Sequence, residues 1–169
     1  MKMRFAVIIF FVAFLLQGTV LNLFAINGAT PNLILCLVVV FSFLYEDFNG
    51  LILGVVFGLL TDSCMAQYVG VAAFSYLIVC LIVINMRETI NKENIASIII
   101  VSVGSTLIYN FIYYLINAGF GSIYSLTYWL KLQPIYILYN SAIVFLLYLI
   151  FIKKVIKYRN DRYLIWKKY

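Results

Sequence analysis

Residues 50–62 read GLILGVVFGLLTD. Three glycines stand at every fourth position, and Asp62 follows one further turn along. In a helix, positions four apart stack on one face, so Gly50, Gly54, Gly58 and Asp62 form one continuous stripe. A stripe without side chains lets another backbone come close. Within lipid, apolar burial contributes nothing between helices, and close van der Waals packing over small residues is a main source of association. Two overlapping GxxxG spacings therefore predict a packing face. Such a face accepts a helix of the same chain, of a second copy in a homo-oligomer, or of a different protein.

The rest of the chain puts this segment in a bilayer. Of 169 residues, 66% are hydrophobic and 11% charged, and the mean hydropathy is +1.07, far from the roughly half-apolar, quarter-charged mix of a soluble domain. Spanning a hydrocarbon core of about 30 Å takes about 20 apolar residues in a helix. Six segments approach this: residues 5–26, 31–45, 48–61, 70–86, 95–117 and 134–152. Thr30-Pro31 reads as a capping hydroxyl before a proline in the first turn of the second segment, and Pro134 opens the sixth in the same way. The first segment is too long for a signal h-region and lacks a small-x-small cleavage site, so it reads as an uncleaved anchor. The expectation is an all-α polytopic membrane protein with six transmembrane helices in one domain, residues 1–152, followed by a basic, aromatic cytoplasmic tail, residues 153–169.

The net charge of +6 does not point to nucleic acid, because nearly all Lys and Arg flank apolar runs instead of forming a patch. With the N-terminus inside, six crossings leave only Lys131 outside, so both termini are expected in the cytoplasm. The chain has no histidine, which removes the common general base, metal ligand and triad member. No cofactor is implied. Cys36 and Cys80 sit in apolar runs as small apolar filler; Cys64 lies near a membrane face. The stretch from Asn117 to Gln133, with Tyr124, Tyr128 and Trp129, reads as an external interfacial turn or short helix. In the tail, Ile152, Ile156, Tyr163 and Trp166 fall near one helical face, suited to the cytoplasmic leaflet with lysines on anionic headgroups.

Asp62 lies about 21 Å along its helix from Phe48 at 1.5 Å per residue, still within the apolar layer. Leu51, Ile52, Leu53, Val55, Val56, Phe57, Leu59 and Leu60 each favour insertion by about 0.3–0.6 kcal/mol, nearly offset by roughly 2.5–3.5 kcal/mol for a central aspartate. The carboxylate needs partners. Candidates are Gln17 and Asn22 in the first segment, the stripe Ser102, Thr106, Asn110 and Asn117 in the fifth, and Asn140 and Ser141 in the sixth. No lysine or arginine lies within the membrane, so a hydrogen-bonded or protonated Asp62 is one reading. The other is that the helix breaks at Thr61-Asp62, with Asp62 capping the stretch that follows to Gly70.

These motifs occur in a recognisable order: TPNLILCLVVVF from Thr30, GLILGVVFGLLTD from Gly50, YVGVAAFSYLIV from Tyr68. The series resembles the MreD-type rod-shape-determining membrane proteins of bacteria, which carry a Pro-Asp/Asn-Leu second helix, a Gly-xxx-Gly-Leu-xx-Asp third and a Gly-xx-Ala-xx-Tyr-like fourth. The matching positions are Pro31, Asn32 and Leu33; Gly54, Gly58, Leu59 and Asp62; and Gly70, Ala73 and Tyr76. The turn after the second helix departs from the family, being Glu46-Asp47 where a basic turn is common. The resemblance implies a non-enzymatic scaffold subunit of the cell-wall elongation machinery in the bacterial inner membrane. It implies binding to an MreC-type bitopic protein and a link between MreB-type filaments and peptidoglycan synthases. It also implies a fold similar to the substrate-binding subunits of energy-coupling-factor transporters. The alternative function is such a small-molecule-binding subunit, with Asp62, Asn110, Asn117 and the external tyrosines supplying a pocket. A membrane enzyme acting on lipid-linked substrates would need clustered carboxylates or basic groups, and here the acids are scattered.

Overall fold

The computed structural model describes residues 3–45, 47–92, 94–121 and 125–166, with side chains up to Lys153. Six helices follow in order: α1 (Met3–Gly18), α2 (Leu33–Leu44), α3 (Asn49–Met65), α4 (Val71–Thr89), α5 (Ile95–Gly119) and α6 (Leu126–Trp166), with a 3-10 turn at Leu21–Phe24 between the first two. There is no β-strand among the described residues.

The core is α2. It packs against all five other helices, and every residue from Ile34 to Leu44 is buried. Its sequence, LILCLVVVFSFL, is apolar on all sides, which is the pattern of a helix enclosed by others. At 1.5 Å per residue its 12 residues reach only about 18 Å, well short of a hydrocarbon core of about 30 Å. The expected span over residues 31–45 is thus an enclosed half-length rod. Among the described residues, three helical stretches are long and apolar enough to cross a membrane: Val71–Thr89, Ile95–Gly119 and Leu126–Lys153. α1, α2 and α3 are shorter apolar helices.

Several boundaries differ from expectation for local reasons. The first segment stops being α-helical at Gly18, not Ile26. There the backbone tightens into the 3-10 turn, Val20 N still donating to Leu16 O at 3.0 Å but Leu23 N to Val20 O at 3.1 Å, while Asn22 Nδ2 takes Gly18 O at 3.2 Å. The chain then reverses through Asn27 (φ 52°) and Gly28 (φ 85°), closed by paired backbone bonds between Ile26 and Ala29. Two successive positive φ values are what an Asn-Gly turn supplies. α2 is capped by Asn32, whose extended backbone lets its side chain accept from Leu35 N at 2.9 Å; Thr30-Pro31 lies outside the helix. α3 does not break at Thr61-Asp62 but continues to Met65. Thr61 and Ser63 turn their hydroxyls back onto the carbonyls of Phe57 and Leu59, so neither competes with the helix.

Pro134 lies inside α6 instead of at its start. The helix begins eight residues earlier because Trp129 and Gln133 are held to α5: Trp129 Nε1 donates to Asn110 O and Asn110 Nδ2 to Gln133 Oε1. The expected interfacial piece from Asn117 to Gln133 is accordingly the end of α5, a short connection and the first turns of α6; Tyr124 lies outside the described residues. So do the tail side chains Ile156, Tyr163 and Trp166, although the α6 backbone stays helical to Trp166.

Candidate functional site

The three stripe glycines face helices of their own chain. A Cβ placed on Gly50 would lie 2.7 Å from Ser42 Oγ, and one on Gly54 2.8 Å from Val38 Cγ2; both neighbours belong to α2. At Gly58 the neighbour is α4: Ala73 Cα at 2.6 Å, Ala73 N at 2.9 Å and Tyr76 Cδ2 at 2.8 Å. The stripe therefore runs along α2 and passes onto α4, with backbone against backbone at Gly58. No room for a further helix is left along it.

Asp62 continues the seam by one turn. It is buried, and Oδ2 accepts from Ala72 N at 2.8 Å, Gly70 N at 2.9 Å and Ala73 N at 3.4 Å. These belong to the orphan donors at a helix start, where the partial positive charge of the dipole also favours a carboxylate. Asp62 thus sits inside one helix while capping the next. Its partner set is α4 backbone; of the expected side-chain partners Gln17, Asn22, Thr106, Asn110, Asn117 and Asn140 bond elsewhere, and among the described residues the buried hydroxyls of Ser102 and Ser141 bond to neither Asp62 nor another group. Gly70 makes the geometry possible with a left-handed φ of 100°, a conformation glycine adopts without steric cost. A Cβ there would meet nothing within 4 Å, so its requirement is conformational.

Tyr76 joins the seam to a polar hub around the start of α2. Its ring covers Gly58, its Cβ faces Gly54, and its hydroxyl donates to Asn32 Oδ1 at 2.9 Å. Asn32 N in turn donates to Asn140 Oδ1 of α6 at 3.0 Å, and Asn140 Nδ2 to Thr106 Oγ1 of α5 at 3.3 Å. Gln17 of α1 accepts from Ile34 N at 3.2 Å. A helix that begins in an apolar interior has no water for its first N–H groups. Here side chains from neighbouring helices take that role. The other end of α2 is held by Arg87 of α4, which donates to the carbonyls of Ser42 and Tyr45. Basic groups suit a helix C-terminus.

Arg87, one of the cations flanking an apolar run, and Asn140 and Gln17, two of the candidate partners for Asp62, instead hold the two ends of α2. A signal for their actual role was present: Asn32 stands directly before an unbroken apolar run, the signature of an N-cap with no polar neighbours of its own. Asn110 instead bridges α5 to Gln133, Asn117 donates to Tyr113 O in its own helix, and Asn22 is exposed on the 3-10 turn.

A family model, that of the rod shape-determining protein MreD, matches residues 1–157. The chain belongs to the MreD family. It is a rod-shape-determining integral membrane protein, and Gly58, Asp62, Gly70, Ala73 and Tyr76 lie within the matched residues and make the α3–α4 seam. Pro31 and Asn32 stand at the start of the enclosed helix that the seam abuts. Searches of the curated proteins and of the solved structures returned no match.

Proposed function

We propose that this chain is a non-enzymatic scaffold subunit of the cell-wall elongation machinery. It sits in the bacterial inner membrane as a six-helix bundle, with both termini cytoplasmic and an MreC-type bitopic protein as direct partner. The observation that carries this reading is the family match over residues 1–157. The site geometry supports it: Asp62, Asn32, Asn140 and Gln17 are all engaged with backbone groups, as befits architecture more than bond-making chemistry. Arg87 bonds the α2 terminus while Lys92 O accepts from Tyr148 of α6, so the cationic ends of α4 and α6 lie together. That is the arrangement a positive-inside rule requires. In this reading residues 1–152 form the membrane domain and 153–169 a cytoplasmic tail that faces MreB-type filaments. The same reading takes the bundle to be similar in fold to the substrate-binding subunits of energy-coupling-factor transporters.

Because α2 and α4 fill the glycine seam, a partner must meet other surfaces of the bundle. Tagged chain purified from native membranes is expected to bring an MreC-type protein with it, and its depletion to convert rods into spheres. Recovery without that protein, in cells that stay rod-shaped after depletion, would overturn the proposal.

A further inference from the structure

A cavity of about 460 Å³ opens at the end of the bundle where α3 and α5 finish and α6 begins. That volume lies within the range of small-molecule sites, about 300–1,000 Å³. Its wall is aromatic and amide-bearing, with Tyr113, Tyr114, Trp129 and Tyr136 beside Asn110 and Asn117, and among the described residues no charged side chain lines it.

The wall is built, not incidental. Trp129 is fixed by its bond to Asn110 O and packs at 5.5 Å from Tyr114 and edge-on at 6.2 Å from Phe111. Near the cavity, tyrosine hydroxyls pin backbone at two points. Tyr128 donates to Asn27 O, and Tyr68 donates to Phe120 O while stacking on its ring at 4.5 Å. Such a mouth costs little ordering when a ligand enters.

The lining restricts the ligand. An ion would leave water with no countercharge to meet it, and an acyl chain would strip water from amides without replacing their hydrogen bonds. What fits is an uncharged molecule with a C–H face for the rings and hydroxyl or amide edges for Asn110, Asn117 and the tyrosines. We propose that this cavity binds a neutral saccharide ring presented at the membrane surface.

Trp129 makes the test direct, since the chain has only two tryptophans and Trp166→Phe leaves it as the sole indole, excited selectively over the tyrosines. The full chain in phospholipid nanodiscs, free of sugar-headed detergent, is titrated with N-acetylglucosamine trimer, with glucuronic acid and with a short alkane. The neutral sugar is expected to change Trp129 emission saturably, and the other two are not. Ala118→Leu, which fills the cavity from its α5 wall, should abolish the response, and Asn117→Leu should weaken it about tenfold, the worth of one hydrogen bond, with circular dichroism melts confirming both folds. No saturation by the neutral sugar, equal saturation by the acid or alkane, undiminished binding in folded Ala118→Leu, or a Trp129 shift produced only by a co-purified protein would each overturn the assignment.

Discussion

Replacing Gly58 by alanine adds one methyl group, and the seam makes its effect large. The new Cβ would stand 2.6 Å from Ala73 Cα and 2.9 Å from Ala73 N. These are backbone atoms in a helix and cannot rotate aside. Restoring the 3.4 Å of ordinary contact requires α3 and α4 to part by about 0.8 Å, which also stretches the bonds from Ala72 N and Ala73 N to Asp62 one turn away. Overpacking of this kind costs about 1–3 kcal/mol, and weakening the Asp62 cap adds to it. Two sister substitutions calibrate the measurement. At Gly54 the close neighbour is Val38 Cγ2 at 2.8 Å, a side-chain methyl that shifts more easily, so Gly54→Ala should cost less. At Gly104, on α5, a Cβ meets nothing within 4 Å, and alanine there gains up to about 1 kcal/mol of helix propensity. Equilibrium unfolding by sodium dodecyl sulfate in mixed micelles, followed by circular dichroism, should rank them Gly104→Ala at or above the parent, then Gly54→Ala, then Gly58→Ala. Gly58→Ala as stable as Gly104→Ala would refute the backbone contact.

Asp62→Asn retains an oxygen acceptor for the α4 N–H groups, whereas Asp62→Leu leaves buried donors unpaired at about 1–3 kcal/mol each; the same unfolding assay should show asparagine as the milder change. Asn140→Leu removes the acceptor of Asn32 N and the donor to Thr106, and is expected to lower stability by about 1–3 kcal/mol, with Thr106→Val adding little on top because its partner is already gone. Arg87→Ala should free the Ser42 and Tyr45 carbonyls and raise hydrogen exchange over residues 42–45, while Arg87→Lys, with a point charge instead of a planar fork, should fall between the two.

The helical content, the membrane setting and the order of the apolar segments were legible because composition and periodicity carry them. Gly50, Gly54 and Gly58 were legible as a small-residue face, but which helix they face depends on packing over long separations, and sequence spacing within one helix carries no such information. Asp62 shows the limit most clearly. Its depth suggested either an intramembrane acid with side-chain partners or a helix break. The structure keeps the helix intact and turns the carboxylate onto the next helix start, a solution that needs the Gly70 turn to bring α4 back within 3 Å. That α2 is enclosed by the other helices was not legible, because a run of apolar residues looks the same whether lipid or protein surrounds it. Pro134 was misread as a helix start because its tolerance inside α6 rests on neighbouring elements.

The central claim is that the glycine face of α3 is closed by α2 and α4 of the same chain. A cryo-electron-microscopy structure of the full chain in nanodiscs with its co-purified partners tests this most directly. Val38, Ser42, Ala73 and Tyr76 should be found against Gly54, Gly50 and Gly58, with the Asp62 carboxylate on the N–H groups of Gly70 and Ala72. A helix of another subunit, or acyl chains, lying along those three glycines would contradict it.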